Sequence, residues 1–412
     1  MALNDIIFQK TNGGIGRTAA GQDFVSGLIM ELEGKLTVTL PSLGFDVTGA
    51  TDNLYVAKLS YFEQLATQYG ISEIADATGL SDDGLTNRNA LNAIVYHVSE
   101  YFRMNPTGLL YLGIRLNGNV TSDDIKALQH YSGGSIRQMG VFTADDTNIS
   151  SYQTGALDLE REHEPLSILL ACAGYGPYSI TVWTLSTLTD ITHSLAGRSN
   201  VSIVVSCDLA PDVVEKLGGF AYFGCIGNLL GAVSKAAVNE SVAWVQKFPL
   251  GLKDPGFITG DLLRDVAVAQ QNLINDNRYI FVRTHTGTAD NFYNDSFTLD
   301  VATSDYAYIE NVRTIDKATR GIRSNLLPYL NAPLYVDAET GKLRSDMVAF
   351  LETTAGVALE QMEAAGELSG YRVEIDPDQN VLATSELEVV IKQVPVGVMR
   401  KVLVKIGFTT KL

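Results

Sequence analysis

The sequence has few cysteines, only 3 in 412 residues, at positions 172, 207 and 225. No two of them form a CxxC pair, and an odd, widely spaced set excludes a disulfide framework. Cys172 and Cys207 lie in apolar runs, where a free cysteine packs as a small buried hydrophobe. We therefore expect the chain to fold in a reducing cytoplasm, without disulfides.

Positive charge is also scarce. The chain carries 30 Lys and Arg against 47 Asp and Glu, a formal net charge of −17. Such an acidic surface repels phosphate backbones and anionic lipids. No apolar run approaches the roughly 20 residues of a membrane-spanning helix, and the N-terminal MALNDIIFQK is too short in apolar residues to be a signal peptide. We expect no nucleic-acid partner and no membrane insertion.

The common catalytic and nucleotide-binding signatures are missing as well. The sequence contains no GxxxxGK[ST], HExxH or GxSxG motif, and its 5 histidines show no metal-ligand spacing. Gly14, Gly16 and Ala19 match GxGxxA, but no strand–helix–strand unit surrounds them. The sequence therefore predicts no catalytic residue, cofactor or metal, and it favours a structural role. An α/β enzyme of unknown reaction is the alternative, because active sites assemble from distant residues.

One segment, LDLEREHEP, is rich in carboxylates around His163. A cluster of this kind can bind a cation. A solvated acidic surface loop explains the same residues and is the favoured interpretation. The acidic residues in question are Asp158, Glu160, Glu162 and Glu164.

Residues 22–275 alternate between helical and strand patterns. NALNAIVYHVSEYF has apolar residues at helical spacing, and SDDIKALQHY opens with Ser122 as a predicted N-cap and acidic residues in its first turn. The strand candidates are GLLYLGIRL, SIRQMGVF, PLSILLACAG and NVSIVVSCD. Alternation of this kind is typical of an α/β domain with a largely parallel sheet.

The pattern changes after residue 275. NRYIFVRTHTG and DSFTLDVA are predicted strands, and two long helices follow. The first helix carries an apolar stripe from Tyr308 and should end near Leu327 because of Pro328. The second should begin at Ser345 and end at Gly366. GYRVEID and ELEVVIKQV are further strands, separated by the turn sequence PDQN, so the chain is α+β overall.

Both ends of the chain have strand patterns. NDIIFQKTNGGIGRTAAGQD is a short apolar stretch followed by glycines that favour a flexible segment. KVLVKIGFTTKL alternates apolar residues onto one face and then stops. A terminal strand with an apolar face needs a sheet to join. The residues alone favour an intramolecular hairpin of 401–408 with 387–394, and an N-terminal strand could be an ordinary edge strand.

The order of motifs in the last third of the chain is informative. An aromatic-rich approach leads to an arginine-bearing helix in DYAYIENVRTIDKATRG, a second helix ends in GELSGY, and a strand, a PV linker and an alternating strand follow. Roughly residues 276–412, with the N-terminal strand, resemble the C-terminal region of contractile tail sheath proteins. The middle of the chain carries no such resemblance. The matched residues are Tyr306, Tyr308, Arg313, Gly366, Leu368, Gly370, Tyr371, Val389, Ile391, Pro395, Val396 and the strand 402–408.

The resemblance implies four parts: an N-terminal arm and hinge (1–21), an α/β outer domain (22–275), a C-terminal sheath domain (276–394) and a C-terminal linker and arm (395–412). Each arm would donate a strand to a neighbouring subunit, which reverses the preference for a hairpin. The implied site residues are Ile6, Ile7 and Phe8 in the N-terminal arm; Gly13, Gly14 and Gly16 in its hinge; Val402, Val404, Ile406 and Phe408 in the C-terminal arm; Pro395 and Gly397 in its hinge; and Leu387, Val389 and Ile391 in the receiving strand.

The function implied by the resemblance is structural. The chain would polymerise with itself into a helical sheath around an inner tube protein and contract to drive the tube through a target envelope, with no cofactor. Its other partners would be baseplate and terminator or cap proteins. It would assemble in the bacterial cytoplasm as part of a phage tail or contractile injection particle. Another structural protein of the tail, such as a tube or baseplate component, is a further alternative. Tube proteins are typically small β-barrels, and the long α/β region in the middle of the chain argues against a tube protein.

Overall fold

A seven-stranded sheet forms the centre of the molecule. The computed structural model describes residues 23–32, 44–48, 54–76, 78–116, 118–144, 149–175, 183–190 and 197–409. The strand order is β2-β3-β4-β1-β5-β6-β7. β4, β1, β5, β6 and β7 run parallel, β3 runs antiparallel to β4, and β2 runs antiparallel to β3. This sheet confirms the predicted α/β class. The strands are β1 (Val25–Glu31), β2 (Asp46–Thr48), β3 (Leu54–Leu59), β4 (Leu109–Arg115), β5 (Gln138–Thr143), β6 (Ser167–Cys172) and β7 (Val201–Ile203).

Helices cover both faces of this sheet because β1 is apolar on both sides. Leu28 and Met30 belong to one buried cluster and Ile29 to the other, as expected for a strand between two helical layers. No helix in the described ranges is both long and apolar enough to cross a bilayer. The first face packs against α2 (Asp82–Met104), α6 (Pro211–Leu217) and α7 (Ile226–Lys235), and the second against α3 (Ser122–Tyr131) and α4 (Ile149–Arg161); the short helices are α1 (Gln64–Thr67), α5 (Leu185–Thr189) and α8 (Val268–Asp276).

Two local predictions in this domain need correction. The N-cap of α3 is Thr121 and not Ser122, because Asp124 lies three residues after Thr121 and completes a capping box with it. The predicted single strand NVSIVVSCD is two strands. β7 stays in the main sheet, whereas β8 (Ser206–Asp208) pairs with β9 (Pro255–Phe257) in a separate two-stranded sheet.

The region after residue 275 begins with a hairpin of β10 (Val282–Thr284) and β11 (Asn291–Tyr293). The prediction of a strand in DSFTLDVA is wrong. Phe297 and Leu299 form only isolated bridges, to Tyr308 and Arg198. Because these partners come from separate segments, no continuous ladder can form along the predicted strand.

Two long helices follow, α9 (Ile309–Leu326) and α10 (Ser345–Ala364). Both helix ends predicted from the sequence are confirmed: Pro328 lies in the 3-10 turn after α9, and Gly366 adopts a φ of 76° just beyond α10. The helices approach closely at Gly321, where an added Cβ would lie 2.6 Å from the Cβ of Ala358. Glycine is therefore needed at this crossing.

The last two strands form their own sheet. β12 (Leu368–Glu374) and β13 (Val390–Pro395) pair antiparallel, and a short helix, α11 (Val381–Thr384), lies between them after the predicted turn. β13 begins only at Val390. Leu387 and Val389, which the sequence placed in the receiving strand, precede it and pack against the buried cluster around Leu351, because their side chains are apolar.

Residues 396–409 follow β13 without forming a helix or a strand. The strand pattern at 401–408 is therefore not realised as a strand within this chain. The hairpin that the residues alone favour does not form either, since β13 pairs with β12.

Candidate strand-exchange site

The C-terminal segment exposes the apolar face that its sequence pattern predicts. The exposed fraction is 63% at Val402, 74% at Val404, 95% at Ile406 and essentially complete at Phe408. Burying an apolar side chain of this size contributes about 1.5–3 kcal/mol. Four apolar side chains exposed on alternate residues form an unusual surface, and the segment is suited to docking on another surface.

An anchor holds the base of this segment on the body of the protein. Arg400 Nε lies 3.0 Å from each carboxylate oxygen of Asp295, and its Nη2 donates to Glu310. Its guanidinium also lies over the ring of Tyr308, 3.4 Å from the ring centre. Arg400 is therefore held by two charges and one aromatic face, immediately before the predicted arm strand begins.

The anchor is largely withdrawn from water. Glu310 is 2% exposed, and burial raises its pKa, while Arg400 and a hydrogen bond from Ser296 oppose that rise. Burial disfavours the charge on Arg400, but Asp295 and Glu310 outweigh it and raise the pKa of Arg400. Removing the arginine would leave a buried carboxylate without its countercharge, which is strongly unfavourable.

At the N-terminal end of the described residues, Asp23 contacts helix α9. Its carboxylate lies 2.7 Å from Lys317 Nζ and 3.2 Å from Arg320 Nη2, both on α9. Lys317 also bonds Glu367 at 2.6 Å. Arg313 donates to the backbone carbonyls of Ala236, Ala237 and Asp23. The predicted N-terminal arm and hinge, Ile6, Ile7, Phe8, Gly13, Gly14 and Gly16, lie outside the described residues.

The predicted receiving edge lies just before and along β13. Gln379 pairs with both backbone groups of Glu388: its Oε1 accepts from the N–H at 2.6 Å and its Nε2 donates to the carbonyl at 2.8 Å. Because backbone groups alternate sides along an extended chain, those of Leu387 and Val389 point away from Gln379. β13 itself has β12 on one side and no other strand among the described residues, so its second edge is open to an added strand.

A groove adjoins this edge. Its volume is ≈ 1070 Å³, and it lies between the segment after α9, the first half of α10 and residues 385–389. Leu330 and Leu382 on its rim are each 71% exposed, and Glu386 and Glu388 add negative charge. The C-terminal segment carries the opposite charge at Lys401. The groove thus offers an apolar floor and an acidic rim close to the candidate edge.

The predicted C-terminal hinge residues have different surroundings. Pro395 is the last residue of β13. Gly397 has open space around it, because an added Cβ would meet no atom within 4 Å. Nothing in the isolated chain requires glycine there, so the hinge stays a prediction.

The acidic segment 158–164 joins a small surface cluster. Ligand atoms of His130, Glu162 and Glu164 lie within 4.8 Å of one another, with His130 and not His163 as the imidazole. His130 Nε2 lies 2.8 Å from Glu162, and both side chains are about half exposed. Lys126 pairs with Asp123 at 2.9 Å close by. These contacts fit the favoured interpretation of a solvated ionic surface.

The cysteines are not placed for catalysis. All three are buried. Burial raises the pKa of Cys225 to about 12 and that of Cys207 well above its usual value. A thiol held protonated at neutral pH is a poor nucleophile.

Sequence reasoning missed the anchor residues Arg400, Asp295 and Asp23. Arg400 stands just before the alternating strand, but nothing local pairs it with carboxylates about a hundred residues earlier. Asp295 is part of DSFTLDVA, which was taken for a strand. The only sequence feature that indicated the anchor was the aromatic stretch before α9, which includes Tyr308.

Several solved structures share this fold over nearly the whole chain. The sheath of the anti-feeding prophage (AFP) in its contracted state has a TM-score of 0.62 at 15% identity and covers 99% of each chain. The contracted PVC sheath complex of an extracellular contractile injection system has a TM-score of 0.62 at 11% identity, covering 100% of this chain and 99% of that one. A chain of the AFP baseplate has a TM-score of 0.59 at 13% identity over 100% of both chains.

Sequence comparison identifies the family. No curated protein matches the sequence. Residues 3–297 match the family described as DUF2586, N-terminal domain, and residues 305–412 match DUF2586, C-terminal domain. Together these matches cover almost the whole chain, so the protein belongs to the DUF2586 family and has the fold of contractile sheath proteins.

Proposed function

We propose that this protein is the structural subunit of a contractile sheath, which polymerises helically around an inner tube and contracts to drive the tube through a target envelope. The observation that carries the proposal is the exposed, alternating apolar segment 402–408 on a chain with a sheath fold. We assign the chain no catalytic role. The proposed particle is a phage tail or a contractile injection system.

The proposed assembly step is strand addition between subunits. The C-terminal segment of one subunit adds along the β13 edge of a neighbour, with its apolar face toward the adjoining groove. The N-terminal arm, residues 1–21, donates a second strand in the same way. Each contact joins two different surfaces, so repeated contacts that do not close build an open helix.

The parts of the chain have different roles in this proposal. The α/β outer domain, 22–275, carries the seven-stranded sheet, and its buried clusters extend into residues 279–309 of the C-terminal domain. The C-terminal domain, 276–394, carries the strand exchange. The short segments next to the arms, with Gly13, Gly14 and Gly16 at one end and Pro395 and Gly397 at the other, act as hinges while the strands stay paired. Inner tube, baseplate and terminator or cap proteins complete the particle, which assembles in the bacterial cytoplasm.

The proposal is tested by truncation. Removing residues 401–412 should abolish tube formation, seen by negative-stain microscopy, and leave the thermal unfolding of the dilute chain unchanged. The matched control removes only residues 410–412 and should still form tubes. Normal tubes from the longer truncation would refute strand donation by this segment.

A baseplate component is the second candidate, because a chain of the AFP baseplate shares the fold. The same strand exchange would then close into a ring of fixed size instead of an open helix. Micrographs of the purified protein distinguish the two: tubes of variable length support a sheath, and uniform rings support a baseplate component.

A further inference from the structure

We propose that helix α9 is the common anchor of both arms: it holds the base of the C-terminal arm through Arg400 and the base of the N-terminal arm through Asp23. This inference rests on the proposed function for the statement that the two chain ends are strand donors. The contacts that make the anchor are present in the isolated chain. They give the two strand donors of one subunit a defined separation.

The first contact lies at the start of α9. Tyr308 is the residue immediately before the helix, and Glu310 is in its first turn. Arg400 stacks on the one and bonds the other. Arg278 lies over the same tyrosine ring, 5.3 Å from its centre. The aromatic ring thus contacts two cations, and these contacts restrict the base of the arm.

The second contact lies about two to three turns further along α9. Lys317 and Arg320 both bond the carboxylate of Asp23, two residues before β1 begins. The exposed fractions of these three side chains are 16%, 8% and 18%. Ion pairs with so little exposure are weakly screened and have defined geometry.

The two anchor points have a fixed spacing because one helix carries both. At 1.5 Å per residue, the distance from Glu310 to Lys317 and Arg320 along the axis is about 10–15 Å. α10 packs along α9 and closes on it at Gly321, one residue beyond Arg320. A pull on one arm therefore acts on the same rigid element that holds the other arm. In a polymer, this connects the neighbours on either side of a subunit.

The test measures arm positions in the dilute, unassembled full-length chain. Spin labels are placed at Val402→Cys, at Phe24→Cys next to Asp23 and, as the reference, at Thr154→Cys on α4; all three positions are exposed. The three native cysteines are buried, so labelling is selective. Electron–electron double resonance then gives the distance distribution from the reference to each arm base.

Each anchor is released separately. Arg400→Gln combined with Glu310→Gln and Asp295→Asn removes all three charges, so that no buried carboxylate is left without its countercharge, and the narrow 154–402 distance peak should be lost. Asp23→Asn should broaden the 154–24 distance peak. Arg344→Gln is the matched control, because its ion pair with Asp346 is exposed, and it should leave both peaks intact.

Narrow peaks that survive in both variants would overturn the inference. Thermal unfolding close to that of the parent chain shows that the loss of a peak reflects release of the arm and not of the fold. The measurement does not depend on assembly. A parent chain that forms neither tubes nor rings would count against the proposed function, and the distance peaks would still decide the anchor.

Discussion

The two sheets of this molecule differ in how completely the chain finishes them. β1 has a strand on each side, and all seven of its residues are buried. β13 has one partner strand among the described residues, and none of its residues is fully buried. A two-stranded sheet is marginal by itself, and an open edge is a template for another strand. The comparison indicates a complete seven-stranded sheet joined to a smaller sheet that gains most from a further strand.

The largest effect is expected where a foreign strand would complete the smaller sheet. Val404→Asp places a charge on the apolar face of the C-terminal segment and should abolish polymerisation, since burial of each such side chain contributes about 1.5–3 kcal/mol and a buried unpaired charge costs more. Leu403→Asp, on the opposite face of the segment, should reduce polymerisation much less. Sedimentation and negative-stain microscopy measure both. Equal loss in the two variants would show that the alternation does not matter.

A smaller effect is expected within the isolated chain, and it should differ between the sheets. Leu28→Ala in β1, at a fully buried position, should lower the free energy of unfolding by about 2–5 kcal/mol. Val394→Ala in β13, at a position that is 58% exposed, should change it by less than about 0.5 kcal/mol. Urea denaturation of the dilute chain gives both values. A comparable loss at Val394 would mean that the smaller sheet is already complete.

A pH-dependent effect is expected at the junction between the two regions. Asp316 on α9 lines a cavity with Glu160 of α4, and burial raises the pKa of Asp316 from 3.8 to about 7, although Arg320 opposes the rise. The folded chain therefore keeps a proton that the unfolded chain releases. It follows that the free energy of unfolding falls as the pH rises from about 4 to 7.

The variant Asp316→Asn removes this titration. Its free energy of unfolding should decline less than that of the parent chain across the same pH interval, measured by urea denaturation at several pH values. Asp346→Asn, at an exposed carboxylate, is the control and should follow the parent chain. Identical pH profiles for Asp316→Asn and the parent chain would contradict the assigned pKa.

Much of the fold could be predicted from local patterns. The strand candidates GLLYLGIRL and PLSILLACAG contain β4 and β6, SIRQMGVF contains all of β5 except its last residue, and Pro328 and Gly366 mark helix ends. These signals work because capping, periodicity and backbone restriction act over a few residues. The division of NVSIVVSCD into β7 and β8 was not predicted, and the strand predicted in DSFTLDVA was wrong, because the backbone partners of these residues come from distant parts of the chain.

The candidate site divides in the same way. The alternation at 402–408 was read from the sequence, and the structure leaves that face exposed. The contact of Gln379 with the backbone of Glu388 could not be read from the sequence, because no local pattern pairs that side chain with the segment before β13. The start of β13 at Val390 depends in turn on how Leu387 and Val389 pack against the Leu351 cluster.

The sequence by itself determined that apolar side chains alternate along residues 402–408 and that an α/β domain precedes this segment, because these patterns have periods of two and of about four residues. Only the tertiary structure decided where the base of that segment is held. Arg400 is separated by 105 residues from Asp295 and by 90 residues from Glu310. Asp23 is separated by 297 residues from Arg320 of α9. Ion pairs over such separations exist only after the core has placed α9, so no local pattern could have shown that one helix holds both ends of the chain.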